Sequence, residues 1–99
     1  MKNEERMLQI EFPELYQLAV ENLQENNIHS YDVQLAVKEA DTGFELILYF
    51  GEAYSNKKSE QFTRNEIESL APSILEFIKN TAEKIKEVMV SDYFKMMKP

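Results

Sequence analysis

The chain has 99 residues and no cysteine, and its 11 basic side chains against 18 acidic ones give a formal net charge of −7. This length predicts one domain, 1–99, and 43% of hydrophobic residues is too high a fraction for a disordered chain. The missing cysteines exclude disulfides and thiolate metal sites. The acidic balance argues against direct binding to nucleic acid, whose phosphates attract basic surfaces.

Targeting segments are not evident in the sequence. No run of residues stays apolar for the length of a membrane span, and the polar start, 1–6, lacks the apolar core of a signal peptide. We therefore expect a cytoplasmic protein that does not contact a membrane.

The N-terminal quarter predicts a helix preceded by an arm. Residues 1–11 are polar apart from Met7, Leu8 and Ile10, and this pattern is typical of a loose arm or a short helix. An apolar stripe at helical spacing then predicts a helix over 13–26, with Pro13 in its first turn and asparagines at its end. The stripe consists of Phe12, Leu15, Tyr16, Ala19, Val20 and Leu23.

The middle of the chain changes to a period of two, which is typical of strands. Apolar residues alternate from Tyr31 to Val37, a turn follows at 40–43, and a second strand begins at Phe44. This second strand is apolar on both faces in its middle, because Leu46 and Leu48 lie on one face and Ile47 and Tyr49 on the other. It should therefore be central, and the weaker segment 58–62, whose lysines suit an exposed edge, is the third strand.

The last third of the chain has the helical period throughout. Thr63 and Glu66 form a capping box at its start, and apolar residues recur every three or four positions up to Met96. Pro72 either kinks this helix or separates 64–70 from 72–96. The predicted class is α+β, in the order α-β-β-(β)-α. A small antiparallel sheet of two or three strands is packed on one face by the N-terminal helix and the long C-terminal helix.

Catalytic chemistry finds no support in the sequence. His29 is the one histidine, so it has no second histidine or cysteine with which to hold a transition metal. Ser30 and Asp32 follow it closely in the sequence, but neighbours on a strand point to opposite faces, so the three do not form a catalytic set. The pair Glu21 and Glu25 is typical of a solvated helix face. We expect no catalytic residues, no metal, no cofactor and no enzymatic activity.

Apolar side chains that the predicted fold leaves uncovered indicate an interaction surface. A 25-residue helix is about 37 Å long, whereas an eight-residue strand spans about 27 Å, so the end of the helix should overhang the sheet. We expect the overhang and the outer sheet face to bind protein, and a second copy of the chain is the expected partner. The residues concerned are Tyr93, Phe94, Met96, Met97, Ile47 and Tyr49. Alternatively, Met7, Leu8 and Ile10 fold over the helix end.

The excess of acidic residues suggests a second hypothesis. Residues 64–99 are neutral, so the whole net charge of −7 falls on residues 1–63. An acidic surface on the first helix and the hairpin would face a basic protein, and its binding would weaken with salt. Its candidate residues are Glu14, Glu21, Glu25, Asp32, Asp41 and Glu45.

No motif identifies a family, but two architectural resemblances are present. The α-β-β-β-α order resembles the double-stranded-RNA-binding domain. The long helix, however, opens Arg64-Asn65-Glu66-Ile67-Glu68, without the basic residues that this function needs. The size, acidity and element order also resemble phage-encoded inhibitors and bacterial immunity proteins. That resemblance implies an acidic inhibitor, or nucleic-acid mimic, that blocks a basic nucleic-acid-handling protein.

Overall fold

The computed structural model describes residues 4–97, and the side chains of residues 4–91. It contains one antiparallel sheet in the order β1-β2-β3-β4, with β1 (Arg6–Met7), β2 (Val33–Ala40), β3 (Gly43–Phe50) and β4 (Asn56–Thr63). The helices are α1 (Leu8–Glu11), α2 (Pro13–Glu25), α3 (Arg64–Ser69) and α4 (Pro72–Met97). The α+β class with an antiparallel sheet is confirmed.

The predicted number of strands, two or three, is wrong by one, because the N-terminal arm supplies β1. This strand pairs Arg6 with Val37 and Met7 with Ala36. Two residues are too few to show any alternation in the sequence, which is why the strand was not predicted. The chain then turns into α1, and Leu8 enters the core with no exposed surface. Residues 6–11 are therefore anchored to the sheet and are not a loose arm.

The two long hairpins set which residues face the helices. In the first, Ala40 pairs with Gly43 across a two-residue loop, and in the second Phe44 pairs with Phe62. The even-numbered residues of β3 face the helices, and they are all buried: Phe44, Leu46, Leu48 and Phe50. A Cβ atom on Gly43 would collide with the carbonyl oxygen of Phe62, so the close approach of β4 requires glycine there.

Both long helices pack on this inner face of the sheet. Helix α2 buries Leu15, Ala19 and Leu23. The apolar row of α4 that enters the same core consists of Ile74, Ile78, Ala82 and Ile85. Aromatic edges join the layers, with ring centroids 5.1 Å apart for Phe12 and Phe44 and 5.8 Å apart for Phe62 and Phe77.

Pro72 separates two helices. Helix α3 ends at Ser69, Leu70 adopts a left-handed conformation (φ 53°, ψ 53°), and Pro72 begins α4. The predicted capping box is present, since the Glu66 N–H donates to Thr63 Oγ1 and the Thr63 N–H donates to Glu66 Oε1. This second bond is the main cause that lowers the pKa of Glu66. Ser73 Oγ donates to Glu66 Oε2 at 2.7 Å and so joins the two helices.

Candidate interaction surfaces

The direction of α4 over the sheet shows where its packed part ends. Phe77 contacts Phe62 near the end of β4, and Val88 lies next to Gly51, at the opposite end of the sheet. Ile85 is fully buried and Val88 is half-buried, whereas Met89 and Val90 are 36% and 54% exposed. The helix continues to Met97. Residues 89–97 thus project about 13 Å past the sheet, at 1.5 Å per residue.

The projecting end of α4, residues 89–97, differs in pattern from the packed part. Val90 lies on the same row of the helix as Glu83 and Lys86, at spacings of seven and four. That row is polar and exposed where α4 covers the sheet. In the sequence Phe94 and Met97 follow Val90 at the same spacing, so the row becomes apolar as it leaves the sheet. The candidate residues Tyr93, Phe94, Met96 and Met97 lie outside the side chains that the structure describes.

The three apolar residues of the N-terminal arm do not share one environment, as they would if they covered the helix end together. Leu8 belongs to the core, and α1 contacts α2 and β2. Met7 and Ile10 keep 47% and 69% of their surface exposed. The three apolar residues of the arm therefore point to different environments, because four helical residues turn Leu8 inward and Ile10 outward.

The outer face of the sheet carries Ile47 and Tyr49, as expected from their position in β3. Ile47, however, is only 2% exposed, so it offers almost no surface to a partner. Its neighbours across the sheet are Ala36 and Ser59. Tyr49 is half-buried, and its hydroxyl donates a 2.6 Å hydrogen bond to Glu5 Oε1. This bond, with burial and the charges of Glu5 and Glu45, raises the pKa of Tyr49 to about 12.

The six acidic candidates do not form one surface. Glu14, Glu21 and Glu25 share an exposed face of α2. Asp32 ends a short 3-10 turn, where its Oδ2 accepts from the His29 N–H, and Asp41 lies in the loop beyond the other end of β2. Glu45 is on the outer sheet face. Strand alternation places it there, on the side of the sheet away from α2.

The single histidine of the chain packs on an aromatic ring. The ring of His29 stacks on Tyr31, with centroids 5.2 Å apart. Among residues 4–91 there is no cluster of three or more side chains suited to bind a metal ion. None of the described helices combines the length and apolarity required to cross a membrane.

Among the described strands β4 lies at an edge of the sheet, the position that its lysines predicted. Within the described chain β4 pairs on one side only, with β3, and seven of its eight residues are exposed. A groove of about 570 Å³ lies between β4 and α4, lined by Lys58, Glu60, Phe77 and Thr81 among others. The run Asn56-Lys57-Lys58-Ser59-Glu60-Gln61 has no apolar alternation, and for this reason the predicted strand was three residues too short.

Comparison with family models, with curated proteins and with solved structures finds no match to this chain.

Proposed function

We propose that this protein is a small, acidic, non-catalytic protein-binding protein that self-associates through the projecting end of α4. The observation that carries the proposal is the continuation of α4 past Val88, where its own sheet ends. Met89 and Val90 are exposed there, and apolar residues follow on a row that is polar in the packed part of the helix. The cytoplasm is the proposed compartment.

A second copy of the chain is the partner that this surface supports best. Burial of apolar surface stabilises a complex by roughly 25 cal/mol per Å², and a two-fold axis lets each copy cover the same patch on the other. A stable interface buries about 800 Å² on each partner. The contact face of nine helical residues is smaller than that. The helix end must therefore contact other parts of the partner as well as the partner's own helix end.

An acidic inhibitor of a basic protein is the second proposal. It is supported by the shared exposed face of Glu14, Glu21 and Glu25 on α2. It ranks second because Asp32, Asp41 and Glu45 lie on other parts of the surface. Binding to a basic protein such as a histone should weaken steeply as salt is raised. Salt-independent binding, or no binding, would rule it out.

Light scattering of wild type and of Val90→Asp, over a wide range of protein concentration, tests the first proposal. Each measurement is made at low and at high salt, because salt screens the repulsion between two chains of net charge −7. We expect a wild-type dimer and a weaker dimer for Val90→Asp. The matched control is Gln24→Glu, which also adds one negative charge, on an exposed position of α2. A monomeric wild type at both salt concentrations would overturn the proposal.

A further inference from the structure

The open edge of β4 points to where the two copies meet. We propose that β4 pairs antiparallel with β4 of a second copy, with Ser59 opposite Ser59 on the two-fold axis. This inference rests on the proposed self-association and names a surface for it. The resulting eight-stranded sheet would have all its helices on one face.

The backbone groups of β4 fix which residues offer hydrogen bonds. Ala40 and Gly43 flank a two-residue loop, so these two residues form a hydrogen-bonded pair. Because the backbone N–H and C=O groups alternate in direction along β3, those of the even-numbered residues point to β4: Phe44, Leu46, Leu48 and Phe50. Their partners in β4 point back to β3. The N–H and C=O groups of the alternate residues, Lys57, Ser59 and Gln61, therefore point away from the sheet.

Symmetry restricts the register to a few choices. A two-fold axis perpendicular to the sheet keeps each face of the sheet continuous. Such an axis must pass midway between one residue and the same residue of the second copy. With Ser59 on the axis, seven residues pair. Lys57 then lies opposite Gln61 of the second copy as a hydrogen-bonded pair, and Lys58 lies opposite Glu60 of the second copy.

Charge favours the register with Ser59 on the axis over the two adjacent registers, which have Lys58 or Glu60 on the axis. The Lys58–Glu60 contact occurs twice, as a non-hydrogen-bonded pair, where Cα atoms are about 4.5 Å apart and side chains are closest. With Lys58 on the axis the two copies of Lys58 would oppose each other, and with Glu60 on the axis the two glutamates would. The lysines that protect this edge against other chains thus favour self-pairing centred on Ser59 over pairing centred on Lys58 or Glu60.

The register also gives a partner surface to the projecting end of α4. This helix runs antiparallel to β4 and leaves the sheet beyond the Asn56 end of the strand. Antiparallel pairing sets that end beside Phe62 of the second copy, close to the start of its α3 at Arg64. The strand edge and the helix end then form one interface.

Charge reversals at Lys58 and Glu60 test the register, with the dissociation constant measured by sedimentation. Each single change, Lys58→Glu or Glu60→Lys, replaces two attractions by two repulsions and should raise the constant about tenfold or more. The double change Lys58→Glu/Glu60→Lys restores opposite charges and the dimer. An equimolar mixture of the two single variants should form a heterodimer, since positions 58 and 60 are then both acidic in one variant and both basic in the other.

Lys57→Glu is the matched control, because it makes the same change of charge one residue away, opposite the neutral Gln61. An effect equal to that of Lys58→Glu would overturn the register. Ser59→Pro removes an outward N–H without breaking a bond to β3 and should also weaken the dimer, whereas Ser59→Ala should not.

The outcomes separate this inference from the proposed function. A wild-type dimer that Val90→Asp disrupts and Lys58→Glu leaves intact would overturn strand pairing and leave the self-association through α4 standing. A monomeric wild type, or one whose edge binds only a different protein, would overturn both.

Discussion

The two faces of the sheet bury their side chains in different ways. On the inner face Leu46 has no exposed surface because α2 and α4 lie over it. On the outer face Ile47 is almost as well buried, at 2%, although no described helix covers it. Low exposure alone therefore does not show that a residue lies between two layers. The inner face is sealed by other elements, and the outer face by side chains of the same sheet.

The outer face obtains this cover from neighbouring strands. Ile47 lies between Glu45 and Tyr49 along β3, and between Ala36 and Ser59 across the sheet. The bond from Tyr49 to Glu5 ties this face to the chain just before β1.

The largest expected effect on the free energy of unfolding is at the inner face of the sheet, which the helices cover. Ile85→Ala should lower the free energy of unfolding by about 3 kcal/mol, because the cavity lies between α4 and the sheet and cannot collapse. Val90→Ala, five residues further along α4, should change it by less than about 0.5 kcal/mol. Urea unfolding at a protein concentration at which the chain is monomeric measures both, so that loss of a dimer contact does not contribute. A similar loss at the two positions would show that Val90 is also packed within its own chain.

Ile47→Ala sharpens the comparison, since it removes the same atoms from an equally buried isoleucine. Its expected cost is smaller, about 1 to 2 kcal/mol, because neighbouring side chains and water can enter the space on the open side. The measurement is again urea unfolding. A cost equal to that of Ile85→Ala would contradict the comparison and indicate that the outer face is covered in solution.

Periodicity predicted the elements whose burial is one-sided. The stripe from Phe12 to Leu23 placed a helix over 13–26, and α2 is Pro13–Glu25. Local chemistry predicted the capping box at Thr63 and left two outcomes for Pro72, of which the structure has the break. These features depend on neighbours in sequence, so the sequence alone contains the information.

The remaining features depend on residues distant in the chain. Strand β1 exists because Met7 meets Ala36, and no property of two residues indicates such a pairing. Ile47 was placed on the correct face, but its burial comes from other strands. The acidic candidates Glu14 and Glu45 are separated by the sheet itself. The edge position of β4 was predicted from its lysines, but its full length was not, because an edge strand lacks the alternation that burial imposes.

The smallest expected effect concerns the phenol of Tyr49 on the outer face. Glu5 holds the pKa of Tyr49 at about 12, above its ordinary value of 10.0, because the carboxylate accepts a hydrogen bond from the protonated hydroxyl. A raised pKa in the folded state stabilises the fold below pH 10 and loses that contribution as the pH rises toward 12. The difference in unfolding free energy between wild type and Tyr49→Phe should therefore shrink over this range. Glu5→Gln should lower the pKa of Tyr49 in an ultraviolet titration. If Tyr49 still titrates late in Glu5→Gln, then burial, and not Glu5, raises the pKa of Tyr49.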